Sequence, residues 1–232
     1  MWRVEVLHVQ ILMKLLKELN NMSTIILKNV NKKYGNHTIF NDFNLEVDEG
    51  EFVSIMGPSG KGKTTLLNII GMIEPFDSGD MIICGQKNPK FYSSAARRLR
   101  AQKIAYLFQN YGLIDNDTVE ENLAVSAKFK KISKNEKKEL YNKALGKVGL
   151  SGYEKRKVFT LSGGEQQRVA LAKIIVKDPE LILADEPTGS LDAQNRDYVM
   201  QILQELNNEN KTIIVVTHDP VVESCAKRKI YL

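Results

Sequence analysis

Residues 57–65 of this 232-residue chain read Gly-Pro-Ser-Gly-Lys-Gly-Lys-Thr-Thr, and their types and spacing suit one task, the holding of nucleotide phosphates. Gly57, Gly62, Lys63 and Thr64 fill the fixed positions of the phosphate-loop pattern Gly-x4-Gly-Lys-[Ser/Thr]. Glycines let the backbone take positive φ, so the N–H groups running from Ser59 and Gly60 through Lys61 to Thr64 can curl round phosphate oxygens at a helix N-terminus. Pro58 and Thr65 complete the loop and its exit. Lys63 then reaches the β and γ phosphates of ATP, and the Thr64 hydroxyl is offered to Mg²⁺.

Three other places could serve the same nucleotide. Asp185 and Glu186 follow the apolar run Leu181-Ile-Leu-Ala184. A carboxylate pair at the tip of a buried strand divides its labour, Asp185 toward Mg²⁺ and Glu186 toward a water. His218 follows a second apolar run, residues 212–216, and at the carboxyl end of a parallel strand an imidazole can contact a γ-phosphate, although a lone His is more often structural. Gln109, after the run 104–108, could hold Mg²⁺ or the attacking water, or simply end a strand. Tyr34, in the turn Lys33-Tyr34-Gly35, could stack on a purine base or merely pack.

A second phosphate-seeking helix end is written at residues 161–173, where Ser162 precedes a helical pattern whose first residues are Gly163 and Gly164. Two glycines there leave the first N–H groups open to an anion. One ATP is already wrapped by the first loop, so this one is expected to serve the nucleotide of another molecule.

The elements that must position these groups alternate between strand and helix. Residues 51–56 read as a buried strand entering the phosphate loop and residues 65–70 as an apolar helix leaving it. Ahead of them, residues 24–30, 37–40 and 43–47 read as an antiparallel strand cluster. After them come a turn at 77–80, a strand at 81–84, a basic helix over 93–101 and the strand at 104–108. Residues 117–150 are expected to be helical, with Asp117 or Thr118 capping one helix and Asn135 the lysine-rich next. Lys128, Lys130, Lys131, Lys134, Lys137 and Lys138 form a solvated helical face or, as the alternative, a contact for anionic lipid. Asp178-Pro179 stops the helix that Ser162 begins.

With 43% hydrophobic residues the chain can bury a sizeable core. The net charge of +5 is spread out rather than gathered in a stripe between aromatics, which argues against a nucleic-acid partner. Cys84 and Cys225 lack metal-ligand spacing and are expected as small buried apolar residues in a reducing cytoplasm. No run of eighteen apolar residues crosses a membrane. Residues 1–21 differ from the rest: Val4, Leu7, Ile11, Leu15 and Leu19 fall at helical spacing, yet Lys17-Glu18 can be encoded by a ribosome-binding sequence three codons before Met22. Translation is therefore expected to start at Met22.

From Met22 to Leu232 the chain resembles the ATP-binding subunit of an ABC transporter. The phosphate loop, Gln109, Leu161-Ser-Gly-Gly-Glu-Gln, Asp185-Glu186, Ser190-Leu-Asp192 and His218 occur in that family's order. The resemblance implies an α/β fold, a RecA-like core with an antiparallel β subdomain and an inserted helical lobe over about 95–175. It implies two copies paired head to tail, each ATP held between one phosphate loop and the partner copy's Ser162, Gly163 and Gly164. By the same matching Tyr34 stacks on adenine, Gln109 links nucleotide to a membrane permease, Glu186 is the general base, and Asp192 communicates across the dimer. The work would be done at the cytoplasmic face of the membrane. Lys61 departs from the small residue usual at its position, and the chain lacks the final strand hairpin of many relatives.

Within the family, residues 68–71, 113–114, 118–122 and 161–168 resemble the macrolide-exporter and lipoprotein-release branch, and the short ending its lactococcin-type bacteriocin exporters. Export of a peptide or amphipathic compound is then the implied task. A membrane-associated ATPase that signals or regulates cell-wall enzymes is the alternative. DNA-repair and ribosome-associated relatives need a long coiled coil or two cassettes, and neither is written here. The loop after Gln109, with Tyr111, Leu113 and Ile114, is expected to meet the permease or, failing that, to pack under the lobe.

Overall fold

A computed structural model describes residues 23–189 and 191–232; the extension before Ser23, with its candidate helix and start site, and Ser190 lie outside the described residues. In chain order the elements are β1 (Ser23–Tyr34), β2 (His37–Asp48), β3 (Phe52–Met56), α1 (Lys63–Ile70), β4 (Ser78–Ile83), β5 (Gln86–Lys87), α2 (Ser94–Arg98) and β6 (Ile104–Leu107). There follow α3 (Val119–Ser126), α4 (Lys134–Lys147), α5 (Gly163–Lys177), β7 (Leu181–Asp185), α6 (Ala193–Asn208), β8 (Thr212–Val216), α7 (Pro220–Ser224) and β9 (Arg228–Tyr231).

Five strands form a parallel sheet in the order β6-β7-β8-β3-β9, and four form an antiparallel sheet in the order β2-β1-β4-β5. This is the expected mixed α/β architecture. The parallel strands are apolar without interruption because both their faces are covered. Alternate residues divide between two cores: Val53, Ile55, Leu181, Leu183, Ile214 and Val216 join the core that contains α1 and the antiparallel sheet. Phe52, Ile182, Ala184, Ile213 and Val215 join the core that contains α3, α4, α5 and α6. Helix α1 supplies Leu66, Leu67, Ile69 and Ile70 to the first core. Helices α3, α4 and α5 all lie between β6 and β7 in the chain.

Local chemistry corrects several expected boundaries. Residues 37–48 form one strand rather than two, because Asp42 takes φ 49° inside a run of register shifts and its N–H bonds Asn31 Oδ1 at 3.1 Å, which absorbs the irregularity as a bulge. The helix expected over 93–101 ends as an α-helix at Arg98 and continues as a π-turn, Leu99–Lys103. Thr118, not Asp117, caps α3. Ser133, not Asn135, caps α4, because Glu136 lies three residues on and closes a reciprocal capping box. Asp178 ends α5 in the left-handed region at φ 57°, with Pro179 next, as the sequence predicts. Gln109 stands in a turn two residues beyond β6 rather than at its end. Both cysteines are free and half-buried, and burial pushes the Cys84 thiol up to about 12. Among the described residues no helix is long and apolar enough to cross a membrane.

Candidate active site

The carboxyl ends of neighbouring parallel strands meet at one cleft, the place where open α/β sheets bind ligands. Strand β3 delivers the phosphate loop, β7 delivers Asp185 and Glu186, β8 delivers His218, and the turn after β6 brings Gln109. The register sets Asp185 opposite Val216, so the β7 carboxylates and the β8 imidazole emerge at the same height. Ser59, Gly60, Gly62, Lys63, Thr64, Thr65, Gln109, Asp185, Glu186 and His218 line the cleft together with Ile39 and Val216.

The loop is built for an anion. Gly62 caps α1 at φ 91° with no side-chain partner, leaving the N-terminal N–H groups of the helix to the cleft. A Cβ on Gly62 would sit 2.5 Å from Ile39 Cγ2, so the position excludes a side chain as well as favouring positive φ. Lys63 Nζ donates to the carbonyl oxygens of Gly57 at 2.7 Å and Pro58 at 3.0 Å. Its ammonium group is thereby held at the loop by weak acceptors that an anion can replace. Lys61 is exposed and does not line the cleft.

Asp185 and Glu186 share a strand tip but not an environment. Burial raises the Asp185 carboxyl above its ordinary value, opposed by a hydrogen bond from Thr64 and by the Lys63 charge. Glu186 is also raised, first by burial and further by Asp185, while His218 opposes. Glu186 takes φ 46°, a left-handed conformation that strains a non-glycine residue by about 1–3 kcal/mol. That backbone turn, tied to β8 by Glu186 N–H to Val216 O at 2.9 Å, leads its side chain to His218, with Oε1 2.6 Å from Nδ1. The hydroxyl of Thr64, the carboxylate of Asp185 and the amide of Gln109 are oxygen donors on one cleft. Such a set fits Mg²⁺ shared with phosphate oxygens.

Tyr34 stands beside this cleft rather than in it. Its ring is exposed, its hydroxyl donates to Glu74 and lies within reach of Thr65, and Lys32 Nζ sits 4.7 Å from its centroid. Glu74 also pairs with buried Lys32 at 2.7 Å, which fixes the ring's edge and leaves a face open.

The remaining predicted residues form a second group. Ser162, Gly163, Gly164 and Asp192 do not line the cleft; they lie where the N-termini of α5 and α6 meet. Asp192 caps α6, and its carboxylate accepts from Asn195 N at 2.8 Å and Asn195 Nδ2 at 2.9 Å. Asn195 Oδ1 accepts in turn from Arg168 at 2.6 Å. A Cβ on Gly164 would fall 2.7 Å from Asn195 Oδ1, and one on Gly163 3.0 Å from the Tyr111 hydroxyl. Ser162 Oγ takes the Glu165 N–H, and Glu165 accepts from Ser162 N at 2.8 Å and the Tyr153 hydroxyl at 2.8 Å.

Gln167, which sequence reasoning passed over, joins the two groups. It is 1% exposed, and its Nε2 donates to Pro187 O at 2.6 Å, tying the second turn of α5 to the loop that leaves Glu186. Its Oε1 is buried without a partner. Only its glutamine type within a helix otherwise burying apolar residues hinted at it.

The family profile described as ABC transporter matches residues 40–189. The chain is 40% identical over 206 residues to a macrolide export ATP-binding/permease protein, MacB, of Campylobacter jejuni, covering 89% of this chain but 32% of that protein. It is 37% identical over 210 residues to the ABC transporter ATP-binding protein YxdL of Bacillus subtilis, covering 89% of this chain and 82% of the relative. A solved dimeric structure of a post-hydrolysis state of the ATP-binding cassette MJ0796, bound to ADP and Pi, superposes with a TM-score of 0.82 at 38% identity, over 90% of this chain and 94% of that one.

Proposed function

Because this chain belongs to the ABC transporter family, as one of its ATPase cassettes, we propose that it powers export of a peptide or amphipathic compound through a separate membrane permease, working at the cytoplasmic face. The observation that carries this reading is the single cleft in which Lys63, Thr64, Asp185, Glu186 and His218 converge.

The residues divide the work. The loop N–H groups and Lys63 take the phosphates, Lys63 exchanging its carbonyl partners for the β and γ oxygens. Thr64, Asp185 and Gln109 would hold Mg²⁺, which supplies neutralisation of phosphate charge. Glu186 accepts the proton of the attacking water, its raised pKa making it a stronger base than a free carboxylate. His218 holds Glu186 in place and faces the γ-phosphate. Tyr34 offers its open ring face to adenine. A second copy, head to tail, closes the cleft with its Ser162, Gly163 and Gly164, and Asp192 lies at that seam.

The permease contact falls to the loop after Gln109. Leu113 and Tyr111 are half-buried against the lobe core, whereas Ile114 is 48% exposed. Buried Asn122 pins the loop, its Oδ1 accepting from Ile114 N at 2.9 Å and its Nδ2 donating to Ile114 O at 3.0 Å. Rigid presentation of an exposed apolar side chain suits a docking role. Bacteriocin-type cargo is the narrower form of the reading.

Reconstitution tests the whole. The chain and its permease in sealed vesicles should hydrolyse ATP only with Mg²⁺ and should move peptide cargo across the bilayer. Hydrolysis without flux of any peptide or amphipathic compound would favour the signalling alternative, and no hydrolysis at all would defeat the reading.

A further inference from the structure

In the proposed function adenine and phosphate are held by different elements: Tyr34 ends β1 of the antiparallel sheet, whereas the phosphate loop opens α1. One side-chain cluster joins the two. Glu74 hangs from the last turn of α1, its N–H and that of Ile73 both donating to Asn68 O, at 3.1 and 2.8 Å. Its carboxylate accepts from the Tyr34 hydroxyl and pairs with Lys32 Nζ at 2.7 Å. Lys32 Nζ donates as well to Pro75 O at 2.9 Å. On either side of Lys32 the strand is strapped to the same segment by Asp77, whose N–H donates to Asn31 O at 2.9 Å and whose carboxylate accepts from Lys33 N at 2.7 Å.

Lysines are rarely buried unless they are paired. Lys32 is 6% exposed, and its contact with Glu74 is the most enclosed ion pair among the described residues. Burial pushes the Glu74 carboxyl up, yet Lys32 and the Tyr34 hydroxyl bring it below its ordinary value, so the acceptor stays charged at neutral pH. The Lys32 ammonium group lies over the Tyr34 ring, 4.7 Å from its centroid. One face of the ring is thus taken by the cation and the hydroxyl edge by Glu74, which leaves the opposite face for a base.

We propose that Lys32 and Glu74 are positioning residues for the base of the nucleotide: they clamp the Tyr34 ring at a fixed place relative to the phosphate loop and offer adenine a single face of it. The inference rests on the reading that Tyr34 takes adenine, and it adds the residues that aim the ring. A ring free to rotate would lose that freedom when a base stacks on it, and a ring held beforehand does not. Neither Lys32 nor Glu74 lines the phosphate cleft, so the clamp serves ATP binding and leaves the hydrolytic step alone.

Steady-state hydrolysis by the full chain, with inorganic tripolyphosphate as a competing ligand that has no base, tests the clamp. Replacing both partners, Lys32→Met with Glu74→Leu, avoids leaving a lone buried charge. The paired variant should raise the KM for ATP about three- to tenfold with kcat near that of the parent, and the inhibition constant of tripolyphosphate should not move. Tyr34→Phe, which keeps the ring and deletes the hydroxyl, should raise the KM of the parent chain but add nothing to the paired variant. A paired variant with the parent's KM overturns the inference. Tripolyphosphate binding that weakens alongside that of ATP also overturns it, because the cluster would then only support the fold around α1. If the paired variant does not fold, Tyr34→Phe decides alone, and a parental KM sinks the clamp. Tyr34→Ala tests the reading beneath: its KM for ATP should rise whatever holds the ring. A rise there without one in the paired variant leaves the adenine reading standing, and no rise defeats both.

Discussion

Glu186 Oε1 stands 2.6 Å from His218 Nδ1, so the carboxylate at the tip of β7 is aimed by the imidazole at the tip of β8. The Glu186 side chain is 14% exposed and that of His218 78%. The carboxylate proposed as the base is therefore sheltered, while the imidazole beside it faces the open cleft, where a γ-phosphate would arrive.

Replacing Glu186 by Gln keeps the shape and removes the proton acceptor. Turnover should fall by about 10²–10⁴-fold, while Lys63 and the loop amides still hold ATP and the trapped nucleotide locks a dimer. Phosphate release and size-exclusion chromatography with ATP measure the two effects. Hydrolysis at the parent rate would remove Glu186 from the chemistry.

The pH profile carries a sign. As the proposed base Glu186 would work only when ionised, and its folded pKa is raised by burial and by Asp185. Activity should thus be lost on acidification at a pH above the ordinary glutamate value of about 4.3. Because His218 lowers the Glu186 pKa, His218→Ala should move the acid limb of kcat/KM upward as well as slow the reaction. An unmoved limb would show that His218 does not influence the Glu186 carboxyl.

Leu113 and Ile114 should part company. Leu113→Asp places a charge against the lobe core and should lower stability by about 0.5–3 kcal/mol, seen in thermal melting. Ile114→Asp should change it by less than about 0.5 kcal/mol, bind ATP normally and lose co-purification with the permease. If both are stable and both still bind, the contact lies elsewhere.

Gln167→Leu removes the donor that holds Pro187 and leaves a buried carbonyl bare, at about 1–3 kcal/mol of stability. Loosening the loop beyond Glu186 should lower kcat while the KM for ATP stays near that of the parent. Equal turnover in a stably folded variant would mean the link is structural only.

The cleft was legible because its residues are local motifs: a phosphate loop between a strand and a helix, and acids or a His after apolar runs. The meeting of Gly164 with Asn195, the pinning of the Ile114 loop by Asn122 and the grip of Gln167 on Pro187 were not. Their partners lie 8–31 residues apart and become neighbours only when helices pack. Capping was half legible. Asn135 is a good cap by residue type, but Ser133 has Glu136 three residues on, and a reciprocal pair of bonds outweighs a preference. The setting of Lys173 and Lys177 was invisible for a different reason: they look like ordinary helix-surface residues until folding brings Gly112 O and Arg100 O to their ammonium groups.

The parallel sheet has no idle face. Ile213 and Val215 of β8 belong to one core and Ile214 and Val216 to the other, so a slip of β8 by a single residue would trade the two sets wholesale. Each core is the far side of the same five strands. Loosening the packing of the lobe core should therefore be felt at the nucleotide cleft through the sheet that the two share.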